Sequence, residues 1–84
     1  MITFEDAAWD DYLYWQQNDK TMLRRVNALI RDIQREPYAG IGKPEALKFN
    51  LLGYWSRRID DEHRIVYTVV DDDLVIAQVS GYYE

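Results

Sequence analysis

The chain has 84 residues, enough for one small domain that buries about 60 to 65% of the surface its unfolded form exposes, so residues 1–84 are expected to form a single domain and a second is excluded. It has no cysteine and one histidine, which excludes a disulfide framework and makes a metal site improbable, so no cofactor is expected. The net charge of −5 by itself argues against a nucleic-acid-binding protein.

The first half of the chain predicts a short strand and two helices. The segment MITF alternates weakly as a strand, and the acids that follow it favour a helix start, which argues against a secretory signal. Trp9, Tyr12 and Leu13 then recur at helical spacing until Asn18 and Asp19. The second helix has the clearest apolar stripe and ends before Pro37, which predicts an antiparallel helix pair; the stripe consists of Met22, Leu23, Val26, Leu29, Ile30 and Ile33.

The second half predicts a loop followed by a strand meander. Prolines and glycines in residues 37–53 predict a loop with a short strand around Leu47 to Leu51. Three strand-like runs follow, separated by polar segments of hairpin length: Tyr54 to Ile59, Arg64 to Val70, and Leu74 to Ser80. The expected fold class is α+β, a small antiparallel sheet packed against a helical hairpin in the order β-α-α-β-β-β, with one further strand optional. No segment is long and apolar enough to cross a membrane, so a cytoplasmic protein without a membrane partner is expected.

Strand alternation divides the side chains between two faces. We expect Ile65, Tyr67 and Val69 to face the helices together with a second set, Val75, Ala77 and Val79. Arg64 and Arg58 are then expected on the opposite, open face near the loop that carries Glu45. A register slip of one residue would reverse this assignment.

The charges are segregated along the chain. Residues 1–19 carry five acids and no base, residues 20–48 carry seven bases and three acids, and residues 65–84 carry four acids and no base. Charged helix faces are usually just solvated. Arginines at 57, 58 and 64 favour a functional surface, because cations are less expected in strands than on helices.

Three segments resemble the YoeB-like toxins of the RelE/ParE superfamily: WDDYLYWQ (9–16), GKPEALK (42–48) and WSRRIDDEHRIVY (55–67). The resemblance runs in order over nearly the whole chain. It implies a RelE-type fold and a type II toxin that cuts mRNA in the A site of the 70S ribosome, by metal-independent attack of the ribose 2′-hydroxyl on the adjacent phosphodiester.

The resemblance also implies roles for individual residues. The general base falls on Glu45, the phosphate-binding arginine on Arg64, and supporting RNA-binding cations on Lys48 and Arg58. An ionised carboxylate suits a base, and the guanidinium fork matches phosphate oxygens. Without the resemblance, Glu45 would be interpreted as an ordinary exposed loop acid.

The C-terminus departs from the family pattern. Where the family ends in His-Tyr, with the histidine as proposed general acid, this chain has Tyr82 and Tyr83 followed by Glu84. Tyrosine, with a pKa of about 10, is a reluctant proton donor at neutral pH, so slower chemistry is expected from whichever tyrosine donates. His63 is interpreted as a turn histidine paired with a carboxylate, and Arg57 as a cation that caps the acidic hairpin or packs along Trp55. Arg64→Ala is therefore expected to lose more activity than Arg57→Ala.

The expected partners also follow from the resemblance. They are the ribosome, mRNA, and a YefM-like antitoxin whose acidic C-terminal segment folds as it binds; operator DNA would be bound only through the antitoxin complex. A catalytically weakened toxin, acting mainly as an antitoxin-binding module and co-repressor, remains an alternative. The gyrase-directed branch of the superfamily shares the fold but not the GKPEALK and WSRRI segments. The many aromatic residues on helix one make a homodimer plausible.

Overall fold

The computed structural model describes residues 1–81, which form two helices and a five-stranded sheet. The predicted α+β class, both helices and the three C-terminal strands are confirmed. The elements in chain order are β1 (Ile2–Phe4), α1 (Asp6–Asn18), α2 (Lys20–Arg35), β2 (Glu45–Ala46), β3 (Trp55–Arg58), β4 (Arg64–Val70) and β5 (Asp73–Gln78).

A single residue, Asp19, separates the two helices. Its extended backbone ends α1, and its carboxylate accepts a hydrogen bond of 3.1 Å from the Met22 N–H, which caps the start of α2. The helices pack together, and the Tyr12 hydroxyl donates to Asn27 Oδ1 at 2.8 Å. Within residues 1–81, neither helix is long and apolar enough to span a bilayer.

The sheet has the order β1-β5-β4-β3-β2 and is mixed, not wholly antiparallel as expected. Strands β2 to β5 form an antiparallel meander, but β1 pairs in parallel with β5, placing Ile2 opposite Leu74. The parallel pair arises because the helical hairpin carries the chain across the sheet before the meander begins, which is the kind of crossover that parallel neighbours require.

The predicted strand at Leu47 to Leu51 is wrong. The strand of this region is β2, two residues earlier, and Phe49–Leu51 form a 3-10 turn. The turn forms because backbone bonds run over three residues, from the Leu51 N–H to Lys48 and from the Leu52 N–H to Phe49, so no ladder can continue.

The hydrophobic core lies between the helices and one face of the sheet. Ile65 and Tyr67 of β4 face this core as predicted and are fully buried. For β5 the predicted face is wrong at Val75 and Ala77, because Ile76 pairs with Tyr67 and therefore shares its face. The register shifts next to Val66, adding one residue to β5, and this shift returns Val79 to the core.

Candidate functional site

The sheet face turned away from the helices carries the predicted functional side chains of β2, β3 and β4. Glu45 pairs with Ser56, and Arg58 pairs directly with Arg64. Because side chains alternate along a strand, Ser56 and Arg58 share a face, so all four residues project from the same side. We call this set, Glu45, Ser56, Arg58 and Arg64, the open-face cluster.

The dimensions of the cluster follow from its register. Glu45 and Arg64 lie two strands and two residues apart, which corresponds to roughly 12 Å between their Cα atoms. Glu45 and Arg58 are exposed. Arg64 is half-buried, and its Nη1 donates to the carbonyls of Asp60 (3.2 Å) and His63 (3.3 Å). These two bonds fix one terminal nitrogen of its guanidinium group.

Beside the cluster, the segment from Glu45 to Leu51 lines an open cavity of about 260 Å³. Exposed Lys48, the predicted supporting cation, lines the same cavity as Glu45, the predicted base. Phe49, which sequence reasoning missed, is 90% exposed and has a φ of +57°, a conformation that non-glycine residues rarely adopt. This backbone directs a large aromatic side chain into solvent, at the cavity that Glu45 and Lys48 also line. The signal in the sequence was a phenylalanine directly after Lys48, in a segment whose flanking prolines and glycines interrupt any regular element.

Arg57 is fully buried on the face opposite Arg58, as the alternation along β3 predicted, but its predicted role as a cap of the acidic hairpin is wrong, because it binds Asp32 of α2. Its Nη1 donates to the Asp32 carboxylate at 2.5 Å and to the Ile41 carbonyl at 3.1 Å. Its Nη2 donates to the Glu36 and Ala39 carbonyls, and its Nε to the Tyr67 hydroxyl. All five guanidinium N–H groups are therefore used. We call this arrangement of Arg57, Asp32, Tyr67 and the carbonyls of residues 36–41 the Arg57 clasp.

The electrostatics of the clasp explain how a buried charge is tolerated. The hydrogen bond from Arg57, the N–H of Ile41 and the nearby Arg35 lower the pKa of Asp32 to about 2, against the opposing effect of burial. Burial raises the pKa of Tyr67, whose hydroxyl donates to the Pro37 carbonyl at 2.6 Å. A paired, fully hydrogen-bonded charge avoids most of the desolvation penalty that an isolated one would incur.

The clasp positions the segment that leads to the open-face cluster. It holds residues 36–41, and the Arg58 N–H donates to the Gly42 carbonyl at 2.6 Å immediately afterwards. Gly42 has a φ of +78°, and a Cβ there would lie only 2.8 Å from a Leu29 methyl group and 3.0 Å from the Arg58 carbonyl oxygen. Three residues later the chain enters β2 at Glu45. The buried side chain of Arg57 on β3 therefore helps to determine where the Glu45 carboxylate lies on the other face of the sheet.

The sequence did contain a signal for the clasp. Asp32 lies three residues after Leu29, on the buried face of α2, and it is only 8% exposed. A carboxylate in an apolar stripe and an arginine at an inward strand position are typical of a buried ion pair. The candidate proton donors Tyr82 and Tyr83 lie outside the described residues.

Comparison with known proteins identifies the family. Residues 4–83 match the family described as YoeB-like toxin of bacterial type II toxin-antitoxin system. The chain is 57% identical to Toxin YoeB of Synechocystis sp. over 83 residues, covering 99% of this chain and 96% of the relative. It is 52% identical to Toxin YoeB of Escherichia coli (strain K12), with 98% of both chains covered.

Solved structures agree with this assignment. A YoeB/ParE toxin from Agrobacterium tumefaciens superposes with a TM-score of 0.95 at 45% identity, over 98% of both chains. The toxin in a heterotetrameric YoeB-YefM complex from Staphylococcus aureus gives 0.92 at 52% identity, over 99% of this chain and 97% of the other. The structure of a YoeB dimer from the same organism gives a TM-score of 0.90 at 53% identity, over 98% of this chain and 95% of the other. The chain therefore belongs to the family of YoeB-like toxins of bacterial type II toxin–antitoxin systems.

Proposed function

We propose that this toxin is a ribosome-dependent mRNA endonuclease that cuts the message in the A site and so inhibits translation in the cytoplasm. The observation that carries the proposal is the open-face cluster, in which a carboxylate and two guanidinium groups project from one side of a rigid sheet. Attack of a ribose 2′-hydroxyl on the adjacent phosphodiester needs a base on the nucleophile, cations around the phosphorane, and a proton for the leaving 5′-oxygen.

This chain has residues suited to each of these three tasks. Glu45, an exposed carboxylate, would accept the 2′-hydroxyl proton, while Arg64 and Arg58 would hold the phosphate oxygens through their planar forks. Lys48 would contribute a further cation from the cavity wall. The proton for the leaving group would come from Tyr82 or Tyr83, and no step requires a metal ion.

The exposed ring of Phe49 adds a way to hold the message. Single-stranded RNA is commonly gripped by stacking its unpaired bases on aromatic side chains, while cations bind the adjacent phosphates. Phe49 stands beside Lys48 on the rim of the cavity that begins at Glu45. We propose that a base of the A-site codon stacks on this ring, which would place the neighbouring phosphodiester over the open-face cluster.

The proposed protein partner is a YefM-like antitoxin. The Staphylococcus aureus relative was solved in a heterotetramer with YefM and also as a dimer. An acidic antitoxin segment would cover the cations of the open face and so block RNA, and operator DNA would be bound through that complex. A homodimer of this chain is proposed on the same basis.

A second candidate function is a weakened toxin that mainly binds the antitoxin and helps it repress their promoter. The observation in its favour is Tyr82 at the place of the family histidine, together with the net charge of −5. Overproduction of the folded chain without antitoxin separates the two candidates. Growth arrest supports the endonuclease, whereas harmless accumulation supports the binding module.

A translation extract programmed with a defined mRNA tests the endonuclease directly, with the cut ends mapped by primer extension. Glu45→Gln is expected to slow cleavage by about 10² to 10⁴, the usual contribution of a general base. Glu5→Gln is the matched control, because Glu5 is exposed beside β1, at the opposite edge of the sheet, and makes no side-chain capping bond. An intact message in the presence of the unmodified toxin would refute the proposal.

A further inference from the structure

Helix α2 presents a cationic surface in a chain whose net charge is negative. This 16-residue helix contains five of the ten lysines and arginines but only one of the fifteen acids, Asp32, which is buried and bound to Arg57. The rest of the chain carries five bases against fourteen acids. The exposed surface of α2 therefore has only positive charge, although acids outnumber bases nearly threefold elsewhere.

Four of these cations line one side of the helix. At 3.6 residues per turn they fall within about 60° of one another around the axis, opposite the side chains that α2 buries against the sheet. We call this set, Lys20, Arg24, Arg31 and Arg35, the cationic stripe. It spans roughly 22 Å along the helix axis. Arg25 lies about 100° further round from Arg24, where it interacts electrostatically with the Asp60 carboxylate, so it is not part of the stripe.

The charge of the stripe is not neutralised at the surface. Within residues 1–81, three of its members take part in no ion pair: Lys20, Arg24 and Arg31. Arg35 binds Asp32, but the same carboxylate binds Arg57, so these three groups together keep a positive charge. Asp19 and Glu36 cap the two ends of the helix, so no acid interrupts the stripe.

The stripe does not help the helix to form. Lys20 and Arg24 are like charges four residues apart, as are Arg31 and Arg35, and this spacing of like charges weakens a helix. Lys20 also lies in the first turn, where the helix dipole disfavours a cation. A solvated helix face gains stability from charges of alternating sign, which α2 lacks. The stripe therefore indicates a polyanionic partner.

The cationic stripe and the open-face cluster lie on opposite sides of the molecule. The apolar side of α2 packs in the core against one face of the sheet, and the cluster projects from the other face. The Cα atoms extend over only 31 × 26 × 24 Å. A toxin enclosed by RNA would thus present one cationic surface to the message and the other to the opposite wall.

The composition of the stripe fits the backbone of double-helical RNA. Proteins that grip single strands combine cations with aromatic side chains on which bases stack, and α2 contains no aromatic residue. Duplex RNA is recognised mostly by its shape and through its phosphates and 2′-hydroxyl groups. Three of the four stripe residues are arginines, whose planar forks match phosphate oxygens.

We propose that the cationic stripe docks the toxin on double-helical ribosomal RNA through its phosphates, while the open-face cluster acts on the message. The proposal rests on the endonuclease function proposed above and deepens it, because it names a surface that would make cleavage depend on the ribosome. The stripe residues are docking residues and not catalytic residues, since they lie on the side of the molecule away from the cluster.

Two adjacent arginines provide a matched test. Arg24→Gln and Arg25→Gln remove the same charge from the same helix, one inside the stripe and one outside it. Affinity for 70S ribosomes is measured between about 50 and 200 mM salt, in a Glu45→Gln background that slows cleavage of the message. Equal salt dependence in the two variants would overturn the proposal.

The expected size of the effect follows from counterion release. Each lost phosphate contact lowers the slope of log affinity against log salt by about 0.9, so Arg24→Gln should lower it by this amount and Arg25→Gln should not. The double variant Arg24→Gln/Arg31→Gln should lower the slope by about 1.8, which makes its loss of affinity over this fourfold change in salt about twelvefold smaller than that of the unmodified stripe.

An isolated RNA duplex identifies the partner. Binding of the toxin to a duplex of about 16 base pairs, the length that double-strand-binding domains span, should weaken in Arg24→Gln/Arg31→Gln as ribosome binding does. Weaker ribosome binding with unchanged duplex binding would assign the stripe to a ribosomal protein. Unchanged binding to both, with weaker antitoxin binding, would assign it to the antitoxin. Either result overturns the proposal.

Cleavage kinetics separate docking from chemistry. In Arg24→Gln/Arg31→Gln with Glu45 intact, the KM for programmed ribosomes should rise while kcat stays unchanged, because the stripe does not touch the reacting groups. An active toxin with an unchanged KM in this variant would refute the docking surface alone. A toxin that cleaves no message, but whose ribosome binding depends on Arg24 as expected, would refute the endonuclease and leave the docking surface in place.

Discussion

Replacing Arg57 by alanine should test the Arg57 clasp most severely. Removing one partner of a buried ion pair costs about 3 to 5 kcal/mol, because the remaining polar groups stay buried without their donor. Here the carbonyls of residues 36, 39 and 41 and the Asp32 carboxylate would all lose a bond. A chain of this length has a total stability of about 4 to 13 kcal/mol, so the loss is a large share of it.

Arg57→Lys refines the expectation. It keeps the positive charge, but an ammonium group has three N–H donors against five in the guanidinium, so at least two acceptors of the clasp would lose their partner. Each unpaired buried acceptor costs about 1 to 3 kcal/mol. The free energy of unfolding is therefore expected to fall by at least about 2 kcal/mol even in this conservative variant.

The matched control is the next residue. Arg58→Ala removes an identical side chain from the exposed face and should change stability by no more than about 0.5 kcal/mol. Urea unfolding followed by circular dichroism, at equal protein concentration, measures all three variants. If Arg57→Ala and Arg58→Ala unfold at the same urea concentration, the clasp does not stabilise the fold as argued. Because Arg57→Ala is expected to unfold much of the protein, the expectation that Arg64→Ala loses more activity than Arg57→Ala must be tested per folded molecule.

The pKa of Asp32 is lowered from 3.8 to about 2, so its contribution to stability is full above about pH 4 and is lost as the pH falls towards 2. The free energy of unfolding in urea, measured at pH 7, 4 and 2.5, should therefore fall less steeply with pH in Asp32→Asn than in the unmodified chain. An equal decrease in the two proteins would contradict this. Gly40→Ala should destabilise more than Gly53→Ala, since both have a positive φ but only the first Cβ would overlap the Asp32 carboxylate, and equal melting temperatures would count against it. Phe49→Ala should raise the KM for programmed ribosomes about 5- to 150-fold with kcat unchanged, because a stacked base would be lost, whereas Phe49→Trp should leave the KM unchanged. Reduced antitoxin affinity with an unchanged KM would instead mean that the ring binds the antitoxin.

The sequence predicted the elements well where a pattern repeats over many residues. The stripe of α2 and the alternation of β4 both extend over several residues, so a single deviating residue does not hide them. On β5 the extra residue beside the register shift reverses the alternation, and a local irregularity of this kind leaves no periodic signal. The assignment of Val75 and Ala77 failed for this reason.

The candidate site was predicted only in part, because one of its determinants is a long-range contact and another is an unusual backbone conformation. The alternation along β3 correctly separated Arg57 from Arg58, yet it could not show that Asp32, 25 residues earlier, would meet the inward side chain. A contact across that distance is a property of the folded chain and not of any local window. The exposed position of Phe49 depends instead on a positive φ within a local turn, a conformation that a phenylalanine in the sequence does not predict.

The two neighbouring arginines of β3 illustrate how stability and chemistry are joined in so small a protein. Arg57 points inward and fixes residues 36–41, while the backbone of Arg58 holds Gly42 and its side chain projects from the opposite face. Only Lys43 and Pro44 separate Gly42 from Glu45. The clasp therefore restricts the position of the carboxylate that is proposed as the base. A register slip of one residue in β3 would bury Arg58 without a partner and expose Arg57, which the clasp makes very costly. The buried ion pair therefore specifies the register that aligns Glu45, Arg58 and Arg64 on one face.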